Sequence, residues 1–192
     1  MNPMIFVSAV SSEFAQSRQL VVNVLTRLGY TPVFQEIFGT ESGDLRDVLR
    51  RKIDHCEGLI QIVGVGYGAE PPTADAEFGR VSYTQFEFKY AERKKLKTWV
   101  VEVDDGFPRD RPTAQLDLPP AGSSANPKEY QDERQALQKA YRASLKASGH
   151  LRHKAATRPD LELRMEQLRD ELAELRAKFD EWRTSLAGDV RN

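Results

Sequence analysis

The chain has 192 residues, 40% of them hydrophobic and 30% charged, enough to bury a core without disulfides or metal. Its 28 Lys and Arg against 29 Asp and Glu leave a net charge of −1, which argues against a nucleic-acid binder and against a polybasic membrane anchor. The lone cysteine, Cys56, excludes an internal disulfide scaffold, and no apolar run approaches a membrane span, so the expected address is the cytoplasm.

The first element is a short apolar run over residues 4–8, the pattern of a strand buried on both faces. Helical spacing follows over 13–28 through Phe14, Leu20, Val21, Val24, Leu25 and Leu28, with Gly29 placed for a left-handed C-cap. Residues 31–34 are a second strand, whose Pro32 suits an edge. After a loop over 35–43, Asp44 is positioned to cap a helix reaching about His55. Residues 58–63 form the strongest strand, followed by a loop over 64–81 carrying four glycines and two prolines. A helix over about 82–95 and a strand over 98–103 complete a β-α-β-α-β-α-β order. That order implies right-handed crossovers and a parallel sheet covered on both faces, a flavodoxin-like α/β domain over residues 1–104.

Residues 105–126, rich in Pro, Gly and Ser, are a linker or surface loop. Residues 127–192 are expected to form a two-helix C-terminal extension, with Tyr130, Leu137, Tyr141 and Leu145 on one side of its first helix and a break over 149–159. Its second helix carries a heptad seam over 161–186: Leu161, Met165, Leu168, Leu172, Leu175, Phe179, Trp182 and Leu186. At about 1.5 Å per residue that helix is roughly 40 Å long. A seam of this length suits a coiled-coil partner in a second copy or a downstream domain, or docking against residues 127–148.

In parallel α/β sheets, ligands bind beyond the carboxyl ends of the strands. That rule selects Ser8, Ser11, Ser12, the 35–43 loop with Glu36 and Phe38, the 64–81 loop with Gly66, Tyr67 and Gly68, and the start of the 82–95 helix with Ser82 and Tyr83. Glu87 is the first choice for chemistry. It lies one turn inside that helix and shares a face with Tyr83. A carboxylate beside an aromatic can act as a nucleophile or stabilise an oxocarbenium ion, and burial would raise its pKa. The alternative for Glu87, as for Glu36, is a solvated surface carboxylate. Glycines 66 and 68 would let backbone amides approach a phosphate or sugar; the alternative is a turn without a ligand. Ser8, Ser11 and Ser12 would donate to a ligand or cap a helix. The three histidines and one cysteine have no metal-ligand spacing.

Four stretches in this order, Ile5-Phe6-Val7-Ser8, Gln35-Glu36-Ile37-Phe38, Val63 to Gly68, and Ser82-Tyr83-Thr84-Gln85-Phe86-Glu87-Phe88, resemble the bacterial TIR-like domains of unknown function that stand at the N-terminus of NLR-like (STAND) NTPase and repeat proteins. The tail from Ser148-Gly149-His150-Leu151 resembles the segment that trails this domain. The wider superfamily joins TIR domains with nucleoside deoxyribosyltransferases. In its NAD-cleaving members a glutamate of the third helix is catalytic and follows an aromatic-Cys pair. Here Tyr83-Thr84 stands in place of that pair, with the spacing to Glu87 kept. The resemblance implies NAD or a related nucleotide as substrate, no other cofactor, and N-glycosidic cleavage in anti-phage or stress signalling. Switching would come from assembly through the C-terminal helix, as a homo-oligomer or with a downstream NTPase or repeat domain. The alternatives are a non-catalytic interaction module and a nucleoside hydrolase or transferase of the deoxyribosyltransferase kind.

Overall fold

The computed structural model describes residues 2–35 and 44–189. Five parallel strands, β1 (Met4–Ala9), β2 (Thr31–Val33), β3 (Gly58–Val63), β4 (Lys97–Val103) and β5 (Leu151–Ala155), form one sheet in the order β2-β1-β3-β4-β5. Among the described residues, six α-helices accompany them: α1 (Ser11–Arg27), α2 (Leu45–Asp54), α3 (Tyr83–Arg93), α4 (Pro127–Ala147), α5 (Arg158–Gln167) and α6 (Arg169–Asp189). This is a flavodoxin-like α/β fold.

Alternation along the strands divides the core. Ile5, Val7, Ile60, Ile62, Val101 and Val103 face α1, α5 and α6, whereas Phe6, Leu59, Val63 and Val100 face α2, α3 and α4. Central β3 is buried along its whole length. Pro32 lies in edge strand β2, where no inner ladder bond is lost. Gly29 takes φ +82° after α1, and Tyr30 N–H closes onto Leu25 C=O at 2.9 Å. Asp44 caps α2 by accepting from Arg46 N–H at 2.9 Å.

The second half of the chain differs from the sequence reading. Residues 149–159 are not simply a break, because they contain β5, paired with the open edge of β4. An edge strand has one neighbour and need not be apolar, so Leu-Arg-His-Lys-Ala carries little strand signal. Among the described residues, 127–189 hold three helices and this strand rather than two helices, and they complete the sheet. The buried face of α4 is Gln131, Arg134, Gln138, Tyr141 and Leu145, while Tyr130 and Leu137 are only half-buried on its flank.

The seam residues Leu161, Met165, Leu168 and Leu172 are at most 1% exposed, in the same core as α1. Helix α4 lies across the sheet from them, so it is not the docking partner. The Arg176 guanidinium stacks over Tyr30 at 4.4 Å and donates to Gly29 C=O at 2.5 Å, which ties α6 to the end of α1. Phe179 remains buried, but Trp182 is 57% exposed. The packing of Leu186 lies outside the described residues. No described helix is long and apolar enough to cross a membrane.

Candidate functional site

Beyond the carboxyl ends of the strands, the loops after β1 and β3 part around a cleft of about 710 Å³. In this strand order that is where the connections leave β1 and β3 in opposite directions. Ala9, Val10, Ser11, Ser12 and Gln16 line one wall, Gly68, Ala69, Tyr83 and Thr84 the other, and Gln35, Asp110 and Arg111 the rim. Another cavity, of about 730 Å³, lies at the opposite end, between α6 and the residues preceding β3 and β4. It gathers no buried acid-base pair, and Cys56 on its wall is held protonated, its thiol pushed up to about 12 by burial.

Glu87 lies beneath the cleft and is 3% exposed. Ser82 begins α3 by accepting from Gln85 N–H, which sets Glu87 one turn inside the helix and against β1. There Ser8 Oγ donates to Glu87 Oε2 at 2.5 Å. Ser8 and Gln61 are register partners across β1 and β3, so their side chains emerge together on the α3 face. Gln61 Nε2 donates to Ser8 Oγ at 3.2 Å and to Thr84 C=O at 2.8 Å, and Tyr141 OH of α4 donates to Gln61 Oε1 at 2.7 Å. A buried hydrogen-bonded chain thus runs Tyr141–Gln61–Ser8–Glu87.

Burial pushes the Glu87 carboxyl up to about 7, against the Ser8 hydrogen bond and the charge of Arg18. Arg18 is itself 2% exposed and donates to Ala9 C=O at 2.8 Å and to Ser11 Oγ at 2.9 Å. A carboxyl balanced near neutrality can give or take a proton, and in its ionised form it can stabilise a developing cation.

The glycine loop is locked from below. Glu13, fully buried in the first turn of α1, accepts from Val65 N–H at 3.1 Å and Gly66 N–H at 2.7 Å, and pairs with Arg109 Nε at 2.7 Å. Gly64 has to be glycine, because a Cβ there would stand 2.5 Å from Phe14 Cζ and overlap the Glu13 carboxylate. Tyr67 N–H and Gly68 N–H both donate to Asp117, each at 2.9 Å.

The structure therefore brings Ser8, Ser11, Gly68, Tyr83 and Glu87 to the cleft or directly beneath it. Ser82 is wholly buried as the cap of α3, and Gly66 is turned to Glu13. The Tyr67 ring is fully enclosed, so it presents no stacking face to the cleft. Glu36 and Phe38 lie outside the described residues. Sequence reasoning missed Glu13, Arg18, Gln61, Arg109, Asp117 and Tyr141. Gln61 alone carried a local signal, as a polar residue inside an apolar strand. Among the described residues no cluster of His, Cys, Asp and Glu could hold a metal ion.

A family model described as a domain of unknown function (DUF4062) matches residues 4–170. No curated protein matches the sequence.

Proposed function

The chain belongs to the DUF4062 family, and on that premise we propose that it is a TIR-like effector domain that hydrolyses the N-glycosidic bond of NAD. The observation that carries the reading is the Ser8–Glu87 pair beneath the cleft, with the carboxyl poised near pH 7. Nicotinamide leaves NAD as a neutral molecule, taking the electron pair of the C1′–N1 bond, so no strong general acid is required. The enzyme must hold the ribose, stabilise positive charge at C1′ and admit water, whose oxygen bonds to C1′ and whose proton is released. Ionised Glu87 supplies the negative charge, and Ser8 fixes its orientation. Ligand entry between Val10 and Thr84 would bring C1′ to Glu87. Ser11, Tyr83 and Gly68 line the space for the rest of the substrate. The setting is bacterial anti-phage or stress signalling, with assembly through α6 around the exposed Trp182 as the switch.

The test is incubation of the concentrated full chain with NAD and chromatographic quantification of free nicotinamide, with Glu87→Gln in parallel. Release by the wild type, reduced at least a hundredfold in the variant, is the expected result. Equal release from both removes Glu87 from the chemistry. Base release from nucleosides with NAD untouched would move the substrate to the deoxyribosyltransferase kind.

One observation favours a second reading, a non-catalytic interaction module. Glu87 is almost wholly enclosed, and four loop amides beside the cleft are taken by the chain's own carboxylates. That reading expects no NAD loss at any protein concentration.

A further inference from the structure

Four consecutive backbone amides after β3 point at carboxylates of the same chain, Val65 and Gly66 at Glu13, Tyr67 and Gly68 at Asp117. The two carboxylates are held differently. Glu13 is fully buried and has its own counter-ion in Arg109. Asp117 is half-buried, and no cation pairs with it among the described residues. It sits on the strap of residues 104–126, which crosses the mouth of the sheet between β4 and α4.

The strap is built to present this one side chain. Leu116, 1% exposed, anchors it, and Gln131 Nε2 of α4 donates to the carbonyls of Ala114 at 3.0 Å and Leu116 at 2.7 Å. Asp117 then turns into the left-handed region, φ +59°, which favours glycine and which Asp tolerates better than most side chains. That turn brings both carboxylate oxygens onto the adjacent amides. Leu118, the next residue, is already 47% exposed. Successive N–H groups converging on one point are the backbone arrangement that binds phosphoryl oxygens. Gly68 and Val10, which would be in contact across a Cβ at position 68, belong to the cleft wall.

We propose that the Tyr67–Gly68 amides form a binding site for a phosphoryl group of a cleft ligand, and that Asp117 fills this site in the closed strap. The ligand class is a phosphorylated small molecule, and its binding displaces the strap. This goes beyond the glycosidase reading, because it needs no chemistry from Glu87.

Asp117→Gly tests it. Glycine removes the carboxylate and accepts the same backbone angle. Inorganic phosphate and, separately, ADP are titrated into isotope-labelled full chain, and the amide resonances of Tyr67 and Gly68 are followed at constant ionic strength. The expected result is binding at those amides at least tenfold tighter in the variant than in wild type. A response to both probes assigns the phosphoryl group alone as the ligand; a response to ADP only adds the nucleoside. Unchanged affinity, or shifts confined to other residues, overturns the proposal. Should the variant not fold, the wild type decides. Phosphate at 100 mM then has to accelerate amide exchange over residues 112–118 relative to chloride at equal ionic strength, and no acceleration overturns the proposal.

Discussion

Ser8 donates a 2.5 Å hydrogen bond to Glu87, joining the end of the first strand to a carboxyl that is 79 positions away in sequence and almost wholly removed from water. The bond favours the ionised acid and burial opposes it, and burial is the larger effect. A carboxyl raised in the folded state binds its proton more tightly there than in the unfolded chain. Its contribution to stability is therefore complete below about pH 4.5 and is lost as pH rises through about 7. At 1.36 kcal/mol per tenfold in proton affinity, that loss is about 3 kcal/mol.

Glu87→Gln isolates this effect. The amide oxygen still accepts from Ser8 and does not ionise. The stability of the variant relative to wild type should rise between pH 5 and pH 8 by up to about 3 kcal/mol. Denaturant unfolding of both chains at the two pH values checks it. Parallel pH dependence in the two chains would show that Glu87 is not the group that titrates.

The clamp under the glycine loop should be the most costly polar contact to break. Glu13→Ala leaves the Arg109 guanidinium, 7% exposed, and two loop amides without their carboxylate. Losing one partner of a buried pair costs about 3–5 kcal/mol. Urea unfolding gives the value, and a loss under 1 kcal/mol would mean that water reaches the pair.

Gly64→Ala strikes the same clamp sterically. The added methyl meets Phe14, whose ring packs edge-on to Phe107 at 5.8 Å, and both rings are buried. Overpacking of this kind costs about 1–3 kcal/mol. Gly79→Ala is the comparison, since nothing lies within 4 Å of its Cβ position and only its φ of +70° opposes the change.

Tyr141→Phe removes the first donor of the Tyr141–Gln61–Ser8–Glu87 chain and leaves Gln61 Oε1 without the 2.7 Å bond it accepts. A loss of about 1–2 kcal/mol is expected. If Glu87 is catalytic, the pH profile of nicotinamide release should also move, because Gln61 then orients Ser8 less firmly.

The two ends of the C-terminal seam should respond in opposite ways. Leu172→Ala empties a site that is 1% exposed and should cost about 2–5 kcal/mol. Trp182→Ala, at a position 57% exposed, should change stability by no more than about 0.5 kcal/mol. If α6 is an assembly surface, the same tryptophan substitution lowers the oligomer order measured by light scattering.

The layered α/β fold is legible in the order of residues along the chain. The apolar runs at 4–8 and 58–63, the helical spacing after each strand, Gly29 and the Asp44 cap are local signals. Each acts within one turn or one strand, so no distant residue is needed to read it. That order also placed Glu87 at the mouth of the sheet, because the position of α3 follows from the order of elements. The partners that Glu87 meets come from long-range packing. Ser8 and Gln61 face each other only through the register of β1 on β3, and Tyr141 arrives from a helix 80 positions beyond Gln61. The same holds for the buried glutamines of α4, which look solvent-facing by hydropathy until backbone carbonyls of the strap and of Gly64 supply their partners. It holds for β5, whose polar sequence becomes a strand because β4 offers it an unpaired edge. Hydrophobic burial leaves its mark along the chain as a period. Satisfaction of a buried polar group depends on which partner the fold brings within about 3 Å, and neighbouring residues carry no trace of that partner.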